Sequence, residues 1–218
     1  MQKGLFITFE GTEGCGKSTQ LELLGRQLRT MGYRVRALRE PGGTSIGEEI
    51  RHTLKHSKNN AAMTAEAELL LMNASRAQLV REIIRPALAT GEIVLCDRFY
   101  DSTTAYQGYG RQLDLEMVQK IVDVAVGETK PDMTLLLAIS PEISELRRAM
   151  RQATLPFIRD RIEESNQEFF ARVDKGYQAI AAAEPARFRV VDASGPVESV
   201  CLKIWESVQP LLPRAGRW

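Results

Sequence analysis

Cysteine and histidine are scarce in this chain of 218 residues, and aromatic side chains make up only 6% of it. The three cysteines, Cys15, Cys96 and Cys201, lie far apart and form no C-x-x-C pair. That excludes a disulfide framework and fits a reduced, cytoplasmic setting. The two histidines, His52 and His56, stand four apart with no glutamate in an H-E-x-x-H frame. Two polar residues on a surface helix is therefore a better reading than a zinc centre. So few aromatics leave no stacking platform for a single strand of nucleic acid. Charge of one sign is missing as well: 29 basic residues face 28 acidic ones. A polybasic clamp for a nucleic-acid polymer and an acidic tail are both excluded. No apolar run approaches the about 20 residues of a membrane span. The first such run, Leu5–Phe9, is too short for a signal-peptide core. The expectation is a soluble, cytoplasmic protein with no membrane partner. Internal repeats, low-complexity tracts and Pro/Ser-rich linkers are absent too, and the length suits one domain over residues 1–218 with a single core.

What is present alternates in a regular way. Short continuous apolar runs at Leu5–Phe9, Val35–Leu38, Ile93–Cys96, Thr134–Ile139 and Arg189–Val191 read as strands covered on both faces. Between them, helical periodicity spans Lys17–Met31, Ile46–Leu54, Ala65–Ala89, Leu115–Val126, Pro141–Met150, Glu164–Ala183 and Val197–Leu211. Strand and helix in alternation predict an α/β fold, a parallel sheet sandwiched between helices. One segment departs in composition. Residues 147–163 carry Arg147, Arg148, Arg151, Arg159 and Arg161 around a proline-interrupted stretch, and read as a basic excursion between two helices.

Gly11-Thr12-Glu13-Gly14-Cys15-Gly16-Lys17-Ser18 fits G-x-x-x-x-G-K-[ST], with an apolar strand before it and a helical pattern after it. Glycines let the backbone curl until successive N–H groups face phosphate oxygens, and the helix N-terminus adds partial positive charge. Lys17 then reaches the β- and γ-phosphates, and the Ser18 hydroxyl ligates Mg²⁺. Cys15 is simply a small loop residue. A GTPase would also carry N-K-x-D, which is absent; Asp192-Ala193-Ser194-Gly195 matches D-x-x-G but follows the last strand, too late to meet a γ-phosphate. Asp97 ends a strand at the ligand crevice of a parallel sheet, where it can hold Mg²⁺ through water or cap the next helix. Arg98 beside it makes sense if a second, acceptor phosphate must be held in line for attack.

Four blocks now resemble the bacterial thymidylate kinase family: Phe9–Thr19, Arg39-Glu40-Pro41-Gly42-Gly43-Thr44, Asp97-Arg98-Phe99 running to Ser102–Gly108, and Asp160-Arg161-Ile162-Glu163. Their order spans nearly the whole chain. The resemblance implies a P-loop nucleoside monophosphate kinase-like three-layer sandwich with a five-stranded parallel sheet and a small lid at about 147–163. It also implies ATP-dependent conversion of dTMP to dTDP with Mg²⁺, on the route to dTTP, by a homodimer. Residue by residue, Gly11–Thr19 form the ATP loop, including Thr12, Gly14, Gly16 and Thr19. Glu13 faces the acceptor side and accepts from the deoxyribose 3′-OH. Arg98 grips the dTMP phosphate, with Arg39 or Arg51 as helpers. Arg76 donates to a thymine carbonyl, Thr103 meets the N3 edge, and Tyr106 packs under the sugar where a 2′-OH would clash. Pro41 and Gln107, from the second and third blocks, complete the substrate set. Glycine rather than arginine follows Glu13, so the chain resembles the subclass whose lid supplies the catalytic arginines: Arg159 and Arg161 first, then Arg151. Arg147 would stack on adenine, with Asp192–Gly195 as the other wall. The Glu40–Pro41 bond is expected to be cis.

One departure stands out. The family usually places phenylalanine over the thymine ring, four residues before the arginine matching Arg76, and here that residue is Met72. A thioether can cover a base; the plainer reading makes Met72 a core residue at helical spacing. The alternatives to a dTMP kinase are a related kinase with another acceptor base or a deoxynucleoside acceptor, and a non-catalytic nucleotide-binding switch. A switch has no need for an arginine that holds an acceptor phosphate.

Overall fold

The computed structural model describes residues 4–154, 162 and 165–212, leaving aside the side chains of 148 and 151–154. The five strands are β1 (Leu5–Glu10), β2 (Val35–Arg39), β3 (Ile93–Asp97), β4 (Met133–Ala138) and β5 (Phe188–Asp192). They pair in parallel in the order β2-β3-β1-β4-β5. Central β1 is buried at every position, because helices cover both of its faces. Edge strand β2 keeps only Val35 and Leu38 half-buried, and its Arg36 and Arg39 face solvent.

Alternation along β1 divides the core. Leu5, Ile7 and Phe9 pack with Leu21, Leu24 and Leu28 of α1 (Lys17–Thr30) and with Val200, Ile204 and Val208 of α9 (Val197–Val208). Phe6, together with Val94 and Cys96 of β3, meets Leu69 and Leu79 of α3 (Ala65–Leu79) and Val118 and Val122 of α6 (Leu115–Val126). Two helical layers thus sandwich the sheet, as the apolar runs imply. A third cluster joins Tyr106 and Leu136 to Phe169, Val173 and Tyr177 of α8 (Gln167–Ala183). The remaining helices are α2 (Ser45–His56), α4 (Arg85–Ala89), α5 (Tyr100–Thr103) and α7 (Pro141–Thr154).

Helical periodicity over 65–89 does not give one helix. The Arg85 N–H donates to the Val80 carbonyl five residues back, so Val80–Ile84 forms a widened π-turn ahead of α4. Pro86 has no N–H to continue a regular ladder there, which accounts for the break. A second π-turn, Thr104–Gly110, follows α5. Residues 147–154 belong to α7 rather than to an irregular excursion, and α8 starts at Gln167, where the Asn166 side chain accepts from the Phe169 N–H. The chain leaves β1 toward β2 and leaves β3 toward β4, in opposite directions. Their C-terminal ends therefore flank the crevice where such sheets bind ligands. Among the described residues no helix is long and apolar enough to cross a membrane.

Candidate active site

The turn from β1 into α1 is built around glycine. Gly11 has φ +135°, and a Cβ on it would meet the Leu137 carbonyl oxygen at 2.5 Å. Gly16 is also left-handed, at φ 93°, and α1 opens with neither a side-chain cap nor an acidic residue in its first turn. Its N–H groups and the positive end of its dipole stay available to an anion. Buried Lys17 arches back over the loop, its Nζ 3.1 Å from the Gly11 carbonyl and 2.9 Å from that of Thr12. Cys15 is buried behind the loop, and Thr19 is exposed beside Ser18. The Ser18 hydroxyl donates to Asp97 Oδ2 at 2.5 Å. Strand β3 thus delivers Asp97 to α1, and the cap of α5 is Phe99, so Asp97 caps nothing. Hydroxyl and carboxylate side by side form a hard oxygen pair of the kind Mg²⁺ takes together with phosphate and water oxygens. Among the described residues there is no cluster of three or more acidic, histidine or cysteine side chains able to hold a metal without such help.

Arg98 lies at the centre of the crevice. Its φ of +69° is strained for a residue with a Cβ, and its N–H is held by the Phe9 carbonyl at 2.9 Å. The guanidinium pairs with Glu13 at 2.6 Å and donates to Tyr106 Oη at 3.1 Å. Burial alone would raise the Glu13 carboxyl, but Arg98, Lys17 and Lys55 outweigh it and hold Glu13 well below the usual carboxylate range. Burial works against the Lys17 and Arg98 charges too; Glu13 helps raise both, with Asp97 acting on Lys17 and Tyr106 on Arg98. Beneath Arg98 lies Glu10, wholly buried. Burial and neighbouring Asp101 push its carboxyl up, while Arg98 and hydrogen bonds from Ser102 and Phe99 act in the other direction.

On the far side of Arg98 one cavity collects Glu13, Pro41, Met72, Arg76, Thr103, Tyr106 and Gln107. Arg76 is held by four hydrogen bonds and an ion pair. Glu40 takes Nε at 2.8 Å and Nη2 at 2.6 Å, Phe99 O takes Nη2 at 3.2 Å, and Asn73 and Thr103 each take Nη1 at 2.9 Å. Gln107 gives its amide N–H to Glu68 at 2.8 Å, and Glu68 also pairs with Arg111. Met72 is half-buried on the cavity wall and is not a member of the core clusters. Glu40–Pro41 is cis.

Arg39 and Arg51 do not line this cavity. Both turn onto the Pro41 carbonyl, at 3.3 and 2.9 Å, and Arg39 also pairs with Glu48. Arg147 bridges the phosphate loop and the loop after β5, reaching Gly14 O at 3.4 Å, Ala193 O at 3.1 Å and Ser194 O at 3.2 Å. Asp192 is exposed and held near pKa 2 by hydrogen bonds from Ser194 and by Lys203. Arg159, Arg161 and the Arg151 side chain lie outside the described residues. Glu40, Lys55, Ser102 and Ile162 line the cavity without having been singled out in the sequence. Lys55 offered no motif to find it by. Glu40 and Ser102 sit inside recognisable blocks but carry no chemical signal of their own.

A parallel sheet with its crevice beside β1, a phosphate loop there, an oxygen pair for a cation and an arginine between loop and acceptor cavity define a P-loop nucleotide kinase. Comparison with known proteins narrows the class. Residues 9–204 match the family described as Thymidylate kinase. The thymidylate kinase of Synechococcus sp. (strain JA-3-3Ab) is 45% identical over 208 residues, 95% of this chain and 97% of that protein. That of Solidesulfovibrio magneticus is 46% identical over 210 residues, 95% of this chain and all of the relative. The crystal structure of thymidylate kinase from Ehrlichia chaffeensis superposes with a TM-score of 0.77 at 31% identity, covering 95% of this chain and all of that one. The chain belongs to the thymidylate kinase family.

Proposed function

We propose that this chain is a dTMP kinase, which transfers the γ-phosphoryl group of ATP to the phosphate of dTMP and so makes dTDP. The observation that carries the reading is the position of Arg98, half-buried between the phosphate loop and a cavity walled by Arg76, Thr103 and Tyr106. A single guanidinium there can hold an acceptor phosphate facing the donor.

In this reading the triphosphate lies along Gly11–Ser18 with Lys17 on its outer phosphates. Arg147 and Asp192–Gly195 flank the adenine. Ser18 and Asp97 hold Mg²⁺, which when bound neutralises charge on the phosphate oxygens. An oxygen of the dTMP phosphate attacks the γ-phosphorus as the bond to ADP breaks, and no covalent enzyme intermediate is needed. Glu13 remains ionised and accepts from the 3′-OH. Arg76 addresses a thymine carbonyl and Thr103 the N3 edge, while Met72 covers the base, with Pro41 and Gln107 completing the wall. Tyr106 fills the space a 2′-OH would need. Arg39 and Arg51 act through the Pro41 carbonyl they share. Arg159, Arg161 and Arg151 supply lid cations to the transition state. The working unit is a cytoplasmic homodimer, each chain a single domain over 1–218 with its lid at about 147–163.

The test is a panel of acceptors with ATP and Mg²⁺. dTMP should show the highest kcat/KM; faster turnover of dUMP, dCMP or thymidine would overturn the assignment.

A further inference from the structure

The contacts beneath Arg98 have a direction. Glu10 Oε1 accepts from the backbone N–H groups of Phe99 and Ser102, at 2.7 and 3.3 Å. Its Oε2 accepts from the Ser102 hydroxyl at 2.6 Å and from the Tyr177 phenol at 2.9 Å. Every contact made by the carboxylate is thus with a donor. Both hydroxyl hydrogens are therefore directed at Oε2 and away from Arg98. The oxygens of Ser102 and Tyr177, 2.9 Å apart, then turn lone pairs outward. Arg98 Nη1 lies against them, 3.0 Å from Ser102 Oγ and 3.1 Å from Tyr177 Oη, with the Gly11 carbonyl at 3.1 Å. On Nη2 the partners are Glu13 and Tyr106.

We infer that Glu10 and Tyr177 are positioning residues for the acceptor phosphate: through two oriented hydroxyls they fix the Nη1 edge of Arg98. With Nη2 anchored as well, by Glu13 and Tyr106, the guanidinium is set in place beside the acceptor cavity and meets the phosphate at little further ordering cost. The site gains this from three separate pieces of chain, β1 for Glu10, α5 for Ser102 and α8 for Tyr177. The Tyr177 ring is packed edge-on against Tyr106, with centroids 6.3 Å apart, so replacing it by phenylalanine removes only the hydroxyl from a filled core. This inference rests on the reading that Arg98 holds the acceptor phosphate.

The experiment is calorimetric titration of full-length Tyr177→Phe, Arg98→Gln and the double variant with dTMP and with thymidine, alongside the KM for ATP. Tyr177→Phe should weaken dTMP about tenfold, the loss of a hydrogen bond to a charged group, with thymidine affinity and the ATP KM unchanged. In the Arg98→Gln background it should add nothing. Should Tyr177→Phe itself lose the fold, Glu10→Gln serves instead, with the same split expected between dTMP and thymidine. Equal weakening of dTMP and thymidine would mean a merely structural tyrosine and overturn the inference. A silent Tyr177→Phe beside a damaging Arg98→Gln would overturn the positioning while sparing the role of Arg98. A silent Arg98→Gln would remove that role, and the inference with it.

Discussion

At the scale of single residues the most informative group is Glu40. Its Oε2 accepts from Arg76 Nε and forms an ion pair with Nη2, while buried Oε1 has no hydrogen-bond partner. Burial raises the carboxyl and Arg76 only partly offsets it, leaving a pKa of about 7. The folded state thus keeps this proton more tightly than the unfolded chain, whose glutamates titrate near about 4.3. Stability from this group is full below that value and is lost as pH rises through 7. Urea unfolding of wild type and Glu40→Gln across pH 5 to 8 should show the wild-type advantage shrinking with rising pH, by at most about 3 kcal/mol. A constant difference would count against a titrating Glu40. Glu13 behaves oppositely: Arg98 keeps it ionised, and its contribution disappears only in strong acid. Met72 offers a second test. With its side chain on the cavity wall, Met72→Phe should lower the dTMP Kd about threefold to tenfold through added stacking, read by calorimetry. Unchanged affinity would return Met72 to a packing role.

At the scale of elements, the loop before β5 is fastened to α5 by a largely buried ion pair. Arg187 makes a two-pronged contact with Asp101, at 2.7 and 2.9 Å, touches Thr134 at 2.6 Å and lies over the Phe188 ring. Removing one partner strands the other charge inside the protein. Arg187→Met should cost about 3–5 kcal/mol in urea unfolding, and because α5 follows directly on Arg98 it should weaken dTMP as well. A loss below about 1 kcal/mol would place the pair among surface bridges. Sequence pattern revealed the five strands to within two residues, since continuous apolar runs admit few other readings. It did not reveal the widened turns at Val80–Ile84 and Thr104–Gly110, because π and α geometry share nearly the same periodicity and the choice rests on single backbone bonds. The phosphate loop was legible from residue type and spacing. Glu10 and Tyr177 were not: Glu10 closes an apolar strand, and Tyr177 follows Phe169 and Val173 at helical spacing, so both read as core. Their importance lies in which hydroxyl faces which carboxylate, a long-range fact that local sequence does not carry.

At the scale of the whole molecule, α3 and α6 leave an apolar strip in solvent. Leu70 on α3 and Val124 on α6 are 56% and 77% exposed, and Leu115 and Met117 extend the α6 side. The two helices lie side by side, and Arg81, just past α3, donates to the Ala125 and Val124 carbonyls at 2.8 and 3.2 Å. Several large apolar side chains exposed on neighbouring helices suit a partner surface, and a second copy would bring identical helix faces together about a twofold axis. The opposite face of α3 carries Arg76 and Met72 into the acceptor cavity. A dimer through this strip would therefore stiffen the base-reading helix from behind. Sedimentation equilibrium should give twice the 24.4 kDa chain mass, and Leu70→Glu with Val124→Glu should halve it, since burying two carboxylates against their copies is strongly unfavourable. The monomeric variant should keep its fold and its ATP affinity but bind dTMP less tightly. A monomeric wild type would refute the dimer, and a dimer indifferent to both charges would move the interface to another face.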